Sequence, residues 1–301
     1  MPDYEHPLYR PPSEAQSLIF QVTSGCSHNG CAFCYMYKEK AFRIKPWDEL
    51  KREIDEAALE YPRARRVFLA DGDAFVLATA DLSRILEHIS ASFPQLQRVT
   101  AYAAPSNLLA KSVREMSLLR EKGLTILYFG VESGDPEILA AVGKGATPDE
   151  MAEGCARATE AGMKLSVTVI LGLAGREGSL AHARMTAALI NRIRPRYLSA
   201  LTLMLGPYRD RFLAKMNALC AEGVLPGERF EFNDAAGDLA ELREMIAGLE
   251  CDRCIFRSNH ASNYLPLAGT LIKDRQALLD TVDMAMEDPD RFLRGEWMRG
   301  L

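Results

Sequence analysis

Short runs of β-branched and aromatic residues alternate along this chain with stretches whose apolar residues recur at helical spacing. LIFQVT (18–23), RVFLAD (66–71), RVTAYA (98–103), TILYFGVE (125–132), KLSVTVILG (164–172) and RYLSALTLM (196–204) read as six strands. Between them, 47–60 places Leu50, Ile54, Ala57 and Ala58 on one helical face, and 81–92 does the same with Leu82, Ile85, Leu86 and Ile89. Strand followed by helix, repeated, is the pattern of a parallel sheet. Right-handed crossovers then curl the units into an α/β fold, an open (β/α)6 partial TIM-type barrel with its chemistry on the loops after the carboxyl ends of the strands. The expected division is an N-terminal extension at 1–17, a barrel core at 18–210, and an α-rich C-terminal extension at 211–301 that closes the barrel.

At 301 residues and 48% apolar, the chain can bury one large core, and a second full domain is not required. Thirty-six Lys and Arg stand against 41 Asp and Glu, a net charge of −5 that gives no general reason to expect nucleic acid or an anionic membrane as partner. The start, MPDYEHPLYRPPSEAQ, is polar and proline-rich rather than a charged-then-apolar leader. No apolar run reaches the ~18 residues of a membrane span. A soluble, cytoplasmic protein is expected. The chain has seven cysteines, and three of them crowd into a nine-residue stretch, so a disulfide framework is a poor account of them. Metal binding or redox chemistry is the better one.

Those three, Cys26, Cys31 and Cys34, lie in TSGCSHNGCAFCYMYKEKAFR (23–43), directly after the first strand and hence at the barrel mouth. A zinc site with His28 as fourth ligand is one reading, since zinc takes four Cys or His ligands at short spacings. The other comes from a resemblance. CAFC (31–34), with a third cysteine upstream, resembles the cluster loop of the radical S-adenosylmethionine enzymes. That resemblance implies that the three thiolates bind three irons of a [4Fe–4S] cluster, while the fourth iron chelates the amino and carboxylate groups of S-adenosylmethionine and Phe33 packs near the adenine. Four residues separate the first two cysteines here, where the commonest family spacing has three. Asn29-Gly30 readily takes positive φ and absorbs the added residue in a tight turn.

Further motifs follow in the family's order. LADGDAF (69–75) resembles the segment whose backbone receives the methionyl amino group, with Asp71, Gly72 and Asp73 in place of Gly-Gly-Glu. FGVESGD (129–135) supplies Glu132 and Ser133 as the implied ribose and substrate contacts. VTVILGLAGRE (167–177) resembles the adenine-binding motif of the fifth strand, with Ile170 and Gly172 in its core positions, but its end departs from the usual glutamate spacing and leaves Glu177 unassigned.

Cys155 and Cys220 fall among apolar residues at helical spacing and read as small core hydrophobes. CDRC, Cys251 and Cys254, has three open readings: metal ligation with His260, a redox pair, or incidental reduced thiols. The family's carboxyl-terminal segments commonly cover the open side of the barrel and touch the substrate, so in CIFRSNHASNYLPLAGT (254–270), a stretch of weak helical character, the resemblance implies that Arg257, Asn259, His260 and Asn263 reach the mouth. Arg257 and His260 are the candidate catalytic residues there, suited to an anionic substrate or the methionyl carboxylate. An ordinary capped turn is the alternative.

Together, the resemblance implies reductive cleavage of S-adenosylmethionine and hydrogen abstraction from an unidentified small-molecule substrate, with an electron donor such as flavodoxin or ferredoxin. The GVESGD and ILGLAGRE signatures resemble the branch with coproporphyrinogen dehydrogenases and methylthiotransferases more than the peptide-modifying branch. Seventeen residues ahead of the first strand are too few for a cobalamin domain, and no RNA-binding barrel or basic tract follows the sixth, which counts against tRNA methylthiolation. A non-catalytic metal-binding or electron-carrying protein is the reading from another class. Tetrapyrrole or nucleic-acid modification is the alternative among enzymes.

Overall fold

Ile19 and Phe20, adjacent in the first strand, are both buried, although successive side chains on a strand point to opposite faces. A strand covered on both faces belongs to a parallel sheet under helices. The computed structural model of the protein describes residues 4–299. Its strands, in chain order, are Leu18–Gln21 (β1), Thr23–Ser24 (β2), Arg43–Ile44 (β3), Arg66–Ala70 (β4), Arg98–Ala103 (β5), Leu124–Glu132 (β6), Lys164–Leu171 (β7), Tyr197–Thr202 (β8), Ile255–Arg257 (β9) and Ala268–Thr270 (β10). The six expected strands are β1 and β4 to β8, each within two residues of its expected bounds.

The chain forms two compact units. The first comprises residues through Asn29, Met36–Phe129 and Glu153–Leu165. In it β1, β4, β5 and β6 pair side by side, all parallel, with a register shift between Val99 and Thr100. Helix Trp47–Glu60 buries Leu50, Ile54 and Ala57, and helix Thr79–Ser92 buries Leu82, Ile85, Leu86 and Ile89. Each burial repeats at three or four residues, as the apolar stripe demands. The ribbon of β2 against β3 pairs Ser24 with Arg43 and so joins the two ends of the cysteine loop.

The second unit comprises Gly30–Tyr35, Gly130–Ala152 and the chain from Ser166 onward. Here β7 pairs with β8 and β8 with β9, both parallel, and β10 closes antiparallel on β9. The expected α-rich extension is present as helices Arg209–Ala221, Ala235–Gly248 and Arg275–Glu287. Residues 254–270, a stretch of weak helical character in the sequence, contain strands. They form the β9–β10 pair, continued by reciprocal bonds between the Ser258 and Leu267 backbones. Three-residue strands interrupted by Ser-Asn-His and Pro266 carry too short an alternation to register as strands. Among the described residues no helix is long and apolar enough to cross a membrane.

Candidate cluster and cofactor site

In the first unit the turn after β4 is built against the start of the cysteine loop. Gly25 takes a φ of +75°, and its amide donates to Asp71 Oδ2 at 3.1 Å. The same carboxylate accepts from Gln21 Nε2 at 3.0 Å and from Lys40 Nζ at 2.9 Å. Asp71 is fully buried, and its side chain is spent on bracing the loop. Its backbone is the part that the resemblance assigns to the methionyl amino group. Gly72 faces Cys26: a Cβ there would come within 2.7 Å of the Tyr37 ring and 3.1 Å of Cys26 Cβ. Asp73, also fully buried, accepts from Ser27 Oγ of the cysteine loop, from Asn107 Nδ2 at 2.5 Å and from the Ala104 amide at 3.3 Å. Burial pushes its carboxyl above the usual aspartate range, against the pull of those bonds. Asn29 takes the positive φ expected of the turn, at 38°, while Gly30 does not.

In the second unit Cys31 and Cys34 sit in a short turn closed by the Cys34 amide on the Cys31 carbonyl at 3.3 Å. The Ala32 amide donates to Val142 O at 2.7 Å, which fastens that turn to the end of helix Pro136–Ala141. Phe33 is buried with Ile138, Val142, Leu173, Leu205 and Phe212, and Cys31, Cys34 and Ile170 pack against that core. Lys144 faces both thiols. Burial pushes its ammonium down, but the Glu132 carboxylate and the Cys31 and Cys34 thiols outweigh that and hold it raised. Lys144 Nζ lies 2.9 Å from Glu132 Oε1. Glu132 has a φ of 64°, and its carboxylate folds back so far that a Cβ on Gly130 would come within 2.0 Å of Oε1. Ser133 is buried and its Oγ accepts the Asp135 amide at 2.9 Å. Gly172 ends β7 with a φ of +79°, and its amide donates to Glu241 Oε2 at 3.0 Å.

A family model described as the radical SAM superfamily matches residues 20–179, more than half of the chain. The protein belongs to the radical SAM superfamily. With that membership come an enzyme class and its cofactors, a [4Fe–4S] cluster and S-adenosylmethionine. Among curated proteins, this radical SAM enzyme is 26% identical over 156 residues to an uncharacterised methyltransferase of Pyrococcus horikoshii, covering 51% of this chain and 32% of that one. It is 21% identical over 158 residues to the heme chaperone HemW of Bacillus subtilis, covering 50% of this chain and 41% of the relative. The chain thus spans less than half the length of either. Among solved structures, the coproporphyrinogen III oxidase HemN of Escherichia coli superposes with a TM-score of 0.54 at 16% identity, covering 77% of this chain and 51% of that one. The methyltransferase TsrM of Kitasatospora setae superposes with 0.53 at 18%, covering 68% and 40%. These likenesses show the fold, the α/β partial barrel expected from the strand–helix repeat.

The residues present fit the cluster. A cation beside Cys31 and Cys34 favours their thiolate forms, the forms that bind metal. At Cys26 the absence of a side chain on Gly72 keeps the approach clear. Among the described residues no group of three His, Cys, Asp or Glu side chains is gathered for a single metal ion.

Asn263 is a brace: Oδ1 accepts the Thr202 amide at 2.6 Å, and Nδ2 donates to Ala200 O and Ser258 Oγ. Arg257 and Asn259 are exposed. His260 Nδ1 pairs with Ser262 Oγ at 2.9 Å, and burial together with Arg294 lowers its pKa, so it is neutral at pH 7. Glu177 is exposed. Cys155 and Cys220 are buried as expected. Cys251 and Cys254 are buried too, and Cys251 Sγ donates to Ile190 O at 3.3 Å. The sequence reading missed Lys144 and Glu241. Lys144 stands alone in a polar turn with no spacing to flag it. Glu241 and Asp238 left a faint signal, two acids on the same helical face as Leu242 and Met245.

Proposed function

We propose that this chain cleaves S-adenosylmethionine reductively and takes a hydrogen atom from a small-molecule substrate, with Cys26, Cys31 and Cys34 as the cluster ligands. The chemistry that the bound cofactors supply is one electron to the sulfonium, releasing methionine and a 5′-deoxyadenosyl radical that abstracts the hydrogen. The observation that carries the reading is the matched segment, residues 20–179, which contains the three cysteines and the Asp71-Gly72-Asp73, Glu132-Ser133 and Ile170–Gly172 positions in order. Lys144 sets a cation beside the Cys31 and Cys34 thiols. The Gly72 turn offers its backbone to the methionyl amino group, and Phe33, Ile170 and Gly172 receive the adenine. Glu132 and Ser133 flank the ribose through the geometry of their turn. Arg257, with an exposed guanidinium, grips an anionic substrate, and neutral His260 contributes hydrogen bonds rather than charge. A low-potential one-electron carrier, flavodoxin or ferredoxin by class, serves as donor.

The test is chromatographic. Anaerobically reconstituted, reduced protein is expected to release 5′-deoxyadenosine from S-adenosylmethionine, and the Cys31→Ala variant is not. Equal traces from both would sink the proposal. A methylated product instead would point to the methyl-transfer reading that the Pyrococcus horikoshii relative's name suggests.

A further inference from the structure

The Gly172 turn is pinned from two sides. Its amide donates to Glu241 Oε2, while the carbonyl of the same peptide plane, Leu171 O, accepts the Leu203 amide at 3.0 Å. Glu241 comes from helix Ala235–Gly248, far along the chain, and is fully buried. Its Oε2 also accepts from Ser179 Oγ at 2.8 Å and Asn233 Nδ2 at 2.9 Å, and its Oε1 meets His182 Nδ1 at 2.8 Å. Ser179 and His182 stand three residues apart on one face of helix Gly175–Ile193, which begins at this turn. His182 is 2% exposed, and its Nε2 has no hydrogen-bond partner among the described residues, so the ring is committed to Glu241. Asp238 Oδ1 completes the enclosure 3.2 Å from where a Gly172 Cβ would stand. A buried carboxylate is tolerated only when well bonded, and here one of its bonds is to the backbone at the position matched to adenine binding.

We propose that Glu241 and His182 are positioning residues for the adenine end of the S-adenosylmethionine site. Glu241 fixes the Gly172 peptide, and His182 fixes Glu241. The inference rests on the functional reading above, and it assigns the pair to one end of the ligand. A pair that only stitched helices together would affect both ends alike or neither.

The experiment measures binding of S-adenosylmethionine, 5′-deoxyadenosine and methionine by calorimetry to anaerobically reconstituted protein, for the parent and for Glu241→Leu, Glu241→Gln, His182→Leu and His182→Asn. Thermal midpoints and iron content are matched first, and exchange of the Gly172 amide is followed by mass spectrometry. Loss of a charge-assisted bond corresponds to about tenfold weaker binding of S-adenosylmethionine and 5′-deoxyadenosine in Glu241→Leu and His182→Leu. Methionine binding is expected to stay at the parental value. His182→Asn, whose side-chain amide replaces the Nδ1 donor, is expected to restore adenosine binding. Should the leucine variants not fold, Glu241→Gln decides, with faster Gly172 exchange and a smaller loss confined to the adenosine ligands. Parental adenosine binding in folded variants, or equal weakening of methionine, would overturn the inference. A parent that binds no S-adenosylmethionine would overturn the functional reading itself.

Discussion

Gly72 lies so close beneath Tyr37 that even one methyl group would meet the ring at 2.7 Å, with Cys26 at 3.1 Å on the other side. The position is glycine for steric reasons, since its φ is not among the positive ones. Gly72→Ala is expected to displace Tyr37 and Cys26 together. Overpacking of this kind costs about 1–3 kcal/mol, read as a lower thermal midpoint. Iron retained after reconstitution should fall in parallel, and full iron with parental stability would show that the ring moves freely.

The Lys144–Glu132 pair predicts a separation of two effects. Both side chains are about nine-tenths buried. Lys144→Met leaves the Glu132 carboxylate uncompensated, which costs about 3 kcal/mol, and removes the cation that favours thiolates at Cys31 and Cys34. Adding Glu132→Gln should restore stability in denaturant titrations, while alkylation of the two thiols in cluster-free protein should still require higher pH than in the parent. Alkylation at the parental pH would mean that Lys144 does not act on the cysteines.

Asp238 supplies a pH dependence. Burial pushes its carboxyl up to about 7, with Glu241 adding to the effect and Asn233, Thr202 and Arg299 opposing it. Between its ordinary value of 3.8 and about 7 the folded protein holds this proton more tightly than the unfolded chain. The contribution to stability is therefore fully present below the ordinary value and lost as pH rises through 7. The span is on the order of 4 kcal/mol. Asp238→Asn should gain on the parent from pH 5 to about pH 7 in thermal melts and level off above that. A constant difference across that range would contradict the assignment.

Cys251 and Cys254 are expected to be inert. Burial pushes Cys251 up to about 11 and, with Cys251 beside it, Cys254 up to about 12; Cys155 also rises to about 12. At pH 8 their thiolate fractions are on the order of one in a thousand or less. Alkylation of native, cluster-free protein should count three fast thiols, and Cys251→Ser with Cys254→Ser should leave iron content unchanged. Iron loss in that double variant would return the CDRC pair to the ligand set.

What could be read in advance follows from the range over which each signal acts. The strands and helices Trp47–Glu60 and Thr79–Ser92 were legible because burial on one face leaves a periodic trace within a dozen residues. The cysteine loop was legible because its three thiols fall within nine residues and carry a family spacing that can be read locally. The carboxylate at Gly172 was not, since Glu241 arrives from a helix 69 residues later and no local spacing encodes that approach. Glu177, which the motif's departing spacing leaves unassigned, is exposed. Asn263 stands out in the sequence because its amide suits a ligand by type; in the structure that amide bonds the Thr202 amide, the Ala200 carbonyl and the Ser258 and Ser262 hydroxyls, partners that no local spacing encodes.

The Asp71 side chain holds the start of the cysteine loop in place. Its bonds to Gln21, the Gly25 amide and Lys40 are made entirely by protein groups, and none involves a thiol. The first turn of the cysteine loop is thus shaped by folding itself, and the conformational entropy of residues 21–25 is lost at that stage. On the proposed ligand set, iron and sulfide arriving later would meet a rim already formed, and their binding free energy would go into metal–sulfur bonds and not into ordering that part of the chain. In assembly terms, the loop's amino-terminal side behaves as a mould, set before the casting.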